Sequence, residues 1–103
     1  MDKLDLTSEI GEGKDIEVRP VFDGARRKIV QIILRQEAVL KAHQAAEPIT
    51  VQCIAGAGEF AELDTKQTCR LEPGTLITLD PGVVHEVRAL PEVSILLTRF
   101  KAE

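Results

Sequence analysis

The chain has 103 residues, 44% of them hydrophobic and 29% charged, which suits one soluble globular domain with a modest core and excludes a second independent core or a disordered chain. Thirteen Lys and Arg residues stand against 17 Asp and Glu residues, a net charge of −4, so no broad basic surface is available for nucleic acid or an anionic membrane. Trp and Tyr are absent and only three Phe occur, which also removes the aromatic platforms on which single-stranded nucleic acids stack.

The N-terminus and the cysteine usage predict a cytoplasmic protein. No window approaches the roughly 18 consecutive apolar residues of a membrane span, and the first residues lack the apolar stretch of a secretory signal. Cys53 and Cys69 do not form a Cys-x-x-Cys motif, so the sequence predicts neither a disulfide framework nor a zinc knuckle. We expect both thiols to be reduced and buried.

The first part of the chain predicts an arm followed by a strand. Residues 1–14 are polar, so we predict an N-terminal arm that precedes a single domain over residues 15–103. Hydrophobicity alternates over residues 15–22, which predicts a half-buried strand. Pro20 favours an edge position for this strand, because proline cannot donate to a ladder on both sides.

The alternation assigns the two faces of this strand. Glu17 and Arg19 lie on the face that we expect to be exposed. The Asp23-Gly24 pair that follows predicts a tight hairpin turn of type I′, whose two central residues need positive φ. The face that we expect to be buried carries Ile16, Val18, Pro20 and Phe22.

Residues 26–47 are ambiguous at the local level. Their apolar positions fit one side of a helix of good helix formers as well as they fit strands. A strand over residues 28–34, with Val30, Ile32 and Leu34 inward, gives the predicted hairpin its partner, and no Ser, Thr or Asp caps the alternative helix. We therefore predict two strands with a bend near residues 36–37.

From Pro48 onward, predicted turns are regularly spaced. Turn-forming residues recur about every eight positions, at Gly56-Ala57-Gly58, Asp64-Thr65, Glu72-Pro73-Gly74, Asp80-Pro81-Gly82 and Leu90-Pro91-Glu92. The segments between these turns are rich in β-branched residues and are predicted strands, at residues 49–54, 59–63, 68–71, 75–79, 83–89 and 93–100. Short strands at this interval indicate an antiparallel sandwich or barrel.

Two common kinds of site are not supported by the sequence. The segment GAGEFA at residues 56–61 fits a dinucleotide fingerprint, but that motif must open a helix and too few residues follow it before Pro73. We interpret its glycines as a hairpin turn with a bulge. The serines, Ser8 and Ser94, lack a supporting nucleophile motif, and Cys53 is expected to be a small buried hydrophobe. We assign no catalytic residue.

The two histidines, each near the start of a predicted strand, carry a resemblance to the cupin superfamily. In the second cupin motif, Gly74, Gly82 and His85 match, whereas Asp80 stands in place of the proline and Ala89 in place of the asparagine. The resemblance implies an all-β fold, the double-stranded β-helix or jelly-roll barrel of that superfamily.

The first cupin motif is degenerate. His43 falls on its first histidine and Gly56 on its last glycine, but Glu37, Ala45 and Ile49 occupy the positions of the first glycine, the second histidine and the glutamate. Metal-binding cupins hold Mn, Fe, Zn or Ni with three histidines and one glutamate. The resemblance implies that only two of these four ligands, His43 and His85, are present in this sequence.

Two functions remain open. One is a binding module for a small molecule in the barrel cavity. The other is a metal-dependent enzyme, a dioxygenase or isomerase of a small organic acid, in which Glu47 or water completes a shell begun by His43 and His85. The missing ligands favour the binding module. We expect a homodimer and a cavity lined by His43, Ala45, Ile49, Val51, Cys53 and His85.

Overall fold

The structure is a computed structural model that describes residues 1–102, so that Glu103, the last residue of the predicted domain, lies outside it. Residues 1–102 contain seven β-strands and no helix, which confirms the all-β prediction and the two strands predicted within residues 26–47. The strands are β1 (Ile16–Asp23), β2 (Arg27–Leu34), β3 (Val39–His43), β4 (Ile49–Glu62), β5 (Gln67–Leu71), β6 (Leu76–Leu79) and β7 (His85–Phe100).

The two long strands, β4 and β7, each take part in two sheets. All pairings are antiparallel. The first half of β4 and the second half of β7 form one sheet with the order β1-β2-β7-β4-β6. Their other halves form the second sheet with the order β3-β7-β4-β5. The arrangement is a jelly-roll barrel.

Two of the five predicted turns are corners of continuous strands instead. β4 runs through Gly56-Ala57-Gly58 and β7 runs through Leu90-Pro91-Glu92, so the prediction of turns there is wrong. The bulge predicted at the glycines is confirmed, because the β4–β7 register shifts between Gly56 and Gly58. The paired strands therefore bend together and pass from one sheet to the other.

The core fills the space between the two sheets. Its residues are aliphatic side chains, one phenylalanine and one cysteine, all less than a tenth exposed. They are Ile32, Leu34, Ile49, Val51, Cys53, Phe60, Leu71, Leu79, Val87, Ala89, Val93 and Ile95. Of the two cysteines, Cys53 is buried as predicted, whereas Cys69 is exposed on β5.

β1 is an edge strand, as Pro20 predicted, but its apolar face is largely exposed. Ile16 is 43% and Val18 is 54% exposed, because β1 pairs only with β2 and extends the first sheet beyond its partner. The half-buried residues Glu17 and Arg19 lie on the other face. The expectation that the apolar face is the buried one is therefore wrong.

The turn before β2 differs from the predicted type, whereas the bend after β2 is as predicted. The β1–β2 hairpin is present, closed by a bond from the Gly24 amide to the Arg27 carbonyl (2.9 Å). Neither Asp23 nor Gly24 has a positive φ, so the turn is not of type I′. The predicted bend after β2 is confirmed, with φ of 56° at Gln36 and 57° at Glu37.

The N-terminal arm covers the outer face of β2. The buried Arg35 guanidinium donates to the carbonyls of Ile10 (2.7 Å), Gly11 (3.0 Å) and Lys14 (2.8 Å) and to the Glu17 carboxylate (2.8 Å). The amide nitrogen of Gln31 donates to the Thr7 carbonyl and to the Ser94 hydroxyl. Because of this cover, β2 is buried on both faces at its C-terminal end.

Candidate functional site

The two histidines are neighbours across adjacent strands. His43 ends β3, His85 begins β7, and the two are direct partners in the β3–β7 ladder. Directly opposed residues of an antiparallel pair project from the same face. The imidazole centroids lie 4.2 Å apart with the rings tilted by 58°. The fold thus brings together the two residues that the cupin motifs singled out.

His85 holds a buried nitrogen without a partner. The residue is 1% exposed, and its Nδ1 lies 2.9 Å from the Val83 carbonyl oxygen. Because a carbonyl can only accept, Nδ1 carries the proton and Nε2 is left with a free lone pair. Among the described residues, no donor lies within hydrogen-bond distance of that Nε2. A buried acceptor without a donor is costly and calls for an explanation.

Burial also keeps His85 neutral. Loss of hydration lowers the pKa of His85 below its ordinary value, the bond to the Val83 carbonyl opposes this, and the neighbouring His43 lowers the pKa further. The exposed His43 has its Nδ1 2.9 Å from the Lys41 carbonyl oxygen, an arrangement that leaves Nε2 as the acceptor in the neutral ring. In their neutral forms the two neighbouring rings therefore each have an acceptor nitrogen, that of His85 being buried.

A groove adjoins the ring that stacks on His85, although neither histidine is part of its lining. Phe60 stacks on His85 with the centroids 5.4 Å apart and the rings 13° from parallel, and it forms part of the floor of a groove of about 340 Å³. Glu62, the direct partner of His85 on β4, is the charged residue of the lining. The groove lies between β4, β5 and β6 and is lined by Phe60, Glu62, Gln67, Thr68, Cys69, Ile77, Thr78 and Leu79.

Sequence reasoning missed the groove residues. Phe60 and Glu62 alternate along β4 after the Gly56–Gly58 corner, and only the register of that second half-strand places them beside His85. A continuous β4 was not predicted, so the pairing with β7 could not be read. The available signal was that Phe60 and Glu62, two positions apart on a strand, must lie on the same face of it.

The other predicted cavity residues occupy different surroundings. Ile49, Val51 and Cys53 are at most 2% exposed and belong to the packed core. Ala45 lies in the loop between β3 and β4, where its carbonyl accepts from the Gly82 amide (2.9 Å). Glu47, from the same loop, lies 3.7 Å from the Nε of Arg99, which directs it to the end of β7.

The residues present do not fit a resident catalytic metal. Such sites supply three or more protein ligands, and residues 1–102 contain no group of three His, Cys, Asp or Glu side chains placed to hold an ion. The two imidazoles have free Nε2 lone pairs, but Glu47 is engaged with Arg99. Within residues 1–102 the ligand set of a catalytic metal is therefore incomplete.

The buried His85 predicts a pH-dependent stability. Its pKa in the folded state lies below the 6.5 of the unfolded chain, so the unfolded state binds more protons between these two values. The contribution of neutral His85 to the free energy of unfolding is therefore fully present above pH 6.5. It is lost as the pH falls from there through the pKa of the folded state. Urea unfolding of the wild type and of His85→Phe measures this, and the slope should be smaller in the variant. His43→Gln, which leaves His85 in place, should keep most of the slope, and an equal slope in all three proteins would contradict the prediction.

Within residues 1–102, no helix has the length and hydropathy needed to cross a membrane.

Solved structures identify the fold. No protein-family model and no curated protein matches the sequence. A cupin superfamily protein from Desulfitobacterium hafniense is 9% identical with a TM-score of 0.81, over 92% of this chain and 87% of its own. An RmlC-like cupin from Desulfovibrio desulfuricans is 18% identical with a TM-score of 0.76, over 93% and 95%. KdgF from Halomonas sp. is 22% identical with a TM-score of 0.72, over 86% and 82%.

At these identities the likeness establishes the fold and nothing finer. The chain has the cupin fold, and the resemblance carried by the two motifs is confirmed at that level.

Proposed function

We propose that the protein binds a small molecule at the end of the barrel that holds His43 and His85. The observation that carries the proposal is the His85 Nε2, a buried acceptor without a donor among residues 1–102. A hydroxyl or amine of a ligand would supply that donor, and the adjacent Nε2 of His43 offers a second acceptor. The neutral state of His85, favoured by burial, keeps its lone pair available near neutral pH.

The groove beside Phe60 supports the same proposal. Its volume of about 340 Å³ is at the small end of the range for ligand sites. Phe60, Ile77 and Leu79 supply apolar surface, and Glu62 and Gln67 supply polar contacts. A ligand with a small ring and one hydrogen-bond donor matches this lining. The sequence also predicted four other cavity residues. In this proposal they pack behind the strands that carry the histidines and do not contact the ligand; they are Ala45, Ile49, Val51 and Cys53.

The test is an NMR titration with benzyl alcohol, which combines a ring with a hydroxyl donor, against toluene, which has no donor. We expect saturable shifts at His43, Phe60 and His85 with benzyl alcohol and smaller ones with toluene. In His85→Phe the preference for benzyl alcohol should disappear. Equal responses to both compounds, or a preference that survives in the variant, would overturn the proposal.

The alternative is a metal-dependent enzyme, a dioxygenase or isomerase of a small organic acid, and the specific observation in its favour is the pair of free Nε2 nitrogens. We expect weak, substoichiometric binding of Mn²⁺ or Zn²⁺, because two neutral imidazoles without a carboxylate offset little of the cation's charge. Calorimetric titration of untagged protein decides between the two. Tight binding of one ion per chain would favour the enzyme over the binding module.

We also propose a homodimer. β1 has an unpaired edge and exposes Ile16 and Val18, and a second copy packed on this face would bury them. The arm is bound to its own barrel through Arg35, so β1 is the better candidate surface. Light scattering should give a dimer mass at tens of micromolar for the wild type and a monomer mass for Ile16→Lys with Val18→Lys. A monomeric wild type, or a dimeric variant, would contradict this prediction.

We further propose that the protein functions in the cytoplasm, and that residues 1–14 act as an arm to the domain formed by residues 15–103. Two free thiols, at Cys53 and Cys69, are consistent with a reducing compartment. The hydrogen bonds from Arg35 to the arm carbonyls support its description as a segment docked on a separate core.

A further inference from the structure

Positive charge is concentrated at one place on this acidic protein. Residues 23–28 and 99–101 together contain five Lys and Arg residues and a single carboxylate, Asp23, whereas the whole chain has a net charge of −4. The two segments are adjacent because β2 pairs with β7, with Arg27 opposite Phe100 and Lys28 opposite Arg99. They form a basic cluster beside the β1–β2 hairpin.

Some of these cations have partners within the protein. Lys101 donates to the Asp23 carboxylate and to the Gly24 carbonyl, and this ammonium is the main reason that the pKa of Asp23 is lowered. The Arg27 guanidinium lies 4.7 Å from the centroid of the Phe22 ring, a cation–π contact. These contacts give partners to two of the five cations, Lys101 and Arg27.

Lys28 and Arg99 are less well satisfied. In the part of the chain that the structure describes, Lys28 makes no hydrogen bond or ion pair. Its nearest opposite charge on β1 is its strand partner Asp23, whose pKa it helps to lower, but the Asp23 carboxylate is bonded to Lys101. Arg99 has one ion-pair partner there, Glu47, at 3.7 Å from Nε, which is too long for a hydrogen bond. The Arg99 Nε is itself buried and has no hydrogen-bond partner within residues 1–102.

These two cations flank a pocket of about 200 Å³. Its lining is Lys28 and Arg99, opposed across β2 and β7, and Val30 and Leu97, opposed in the same way two residues further along. Alternate residues of a strand share a face, and Val30 and Leu97 pack against the core. The pocket therefore has an apolar floor with two cations on one side.

We propose that this pocket binds the carboxylate of a small organic acid. The carboxylate would lie between the Lys28 ammonium and the Arg99 guanidinium, which accepts carboxylates in a planar two-bond arrangement, and a short aliphatic part would cover Val30 and Leu97. The apolar floor limits hydration and strengthens the charge interaction. Glu47 disfavours a dianionic phosphate, because its carboxylate lies against the same guanidinium. The site does not use the histidines and is independent of the function proposed above.

The experiment is an NMR titration of the full chain with butyrate, alongside butanol and butylamine of the same length. Butyrate should give saturable shifts at Lys28, Val30, Leu97 and Arg99, and the two other compounds should not. Lys28→Met and Arg99→Gln should each weaken butyrate binding roughly tenfold, the loss of one charge-assisted contact. Arg70→Gln, which removes an exposed guanidinium on β5, is the matched control and should change nothing.

Two further variants sharpen the result. Glu47→Gln should strengthen butyrate binding, because it removes the carboxylate that competes for Arg99. His85→Phe should leave butyrate binding unchanged, so that a failure of the histidine proposal does not affect this one. Equal shifts with butanol, or affinity retained in both Lys28→Met and Arg99→Gln, would overturn the inference. Loss of butyrate binding in His85→Phe with retention in Lys28→Met would place the anion at the histidines and would overturn it as well.

Discussion

Gly56→Ala should lower the free energy of unfolding by about 3 kcal/mol, the sum of a backbone and a steric effect. Gly56 has a φ of +78°, which L-residues with a Cβ rarely adopt, and a Cβ built there would lie 2.2 Å from the carbonyl oxygen of Glu92. That oxygen belongs to the backbone of β7, at the corner where both long strands change sheets. Relief of the clash therefore requires the two strands to separate at the centre of the barrel.

Gly82→Ala separates the two effects. Gly82 has a similar φ of +82°, but nothing lies within 4 Å of a Cβ at that position. We expect a loss of about 1 kcal/mol, from the backbone conformation alone. Urea unfolding of both variants measures the difference. Equal losses would show that the β4–β7 corner can yield at no cost, contrary to the tight packing that the structure describes.

The corners also show which part of the fold the sequence could predict. Glycine and proline at regular spacing indicated short antiparallel strands, and the cupin motifs indicated the barrel. The same residue types, however, mark both hairpin turns and bends within a continuous strand. Only the pairing of Gly56 with Val93 and of Gly58 with Ala89 distinguishes these two cases, and that pairing is a long-range property.

The site was predictable in part for a related reason. His43 and His85 could be found from motif spacing, and their proximity follows from the β3–β7 pairing. Alternation along β4 correctly placed Val51 and Cys53 on the inner face, but it cannot tell a cavity wall from a packed core. That distinction depends on whether the opposing sheet fills the space, which is a matter of side-chain volumes across the barrel.

The face of β1 illustrates a second limit. Alternation identifies an apolar face, but whether that face is covered depends on what lies opposite. Ile16 and Val18 stay exposed on the edge strand β1, whereas the other face of the neighbouring strand β2 is covered by the arm. Arg35, a charged residue at the end of an apolar strand, was the available signal that the chain returns to that surface.

Arg35→Met should be the most damaging substitution outside the glycine corner. The guanidinium is 4% exposed and donates to the three arm carbonyls of Ile10, Gly11 and Lys14 and to the Glu17 carboxylate. Methionine fills similar space but makes none of these partly buried bonds, so the three arm carbonyls lose the donor that holds them to the barrel. We expect the free energy of unfolding to fall by about 3 kcal/mol, as when one member of a buried ionic network is removed.

The structural consequence should be release of the arm, and it can be measured separately from stability. Limited proteolysis should cleave Arg35→Met faster than the wild type within residues 1–14, while Arg88→Met, which changes an exposed arginine on β7, should behave like the wild type. Deletion of residues 1–14 removes the three carbonyl acceptors, so Arg35→Met should cost much less in that background than in the full chain. An equal cost in both backgrounds would mean that Arg35 stabilises the barrel through Glu17 alone, and that the arm contributes nothing to the folded state.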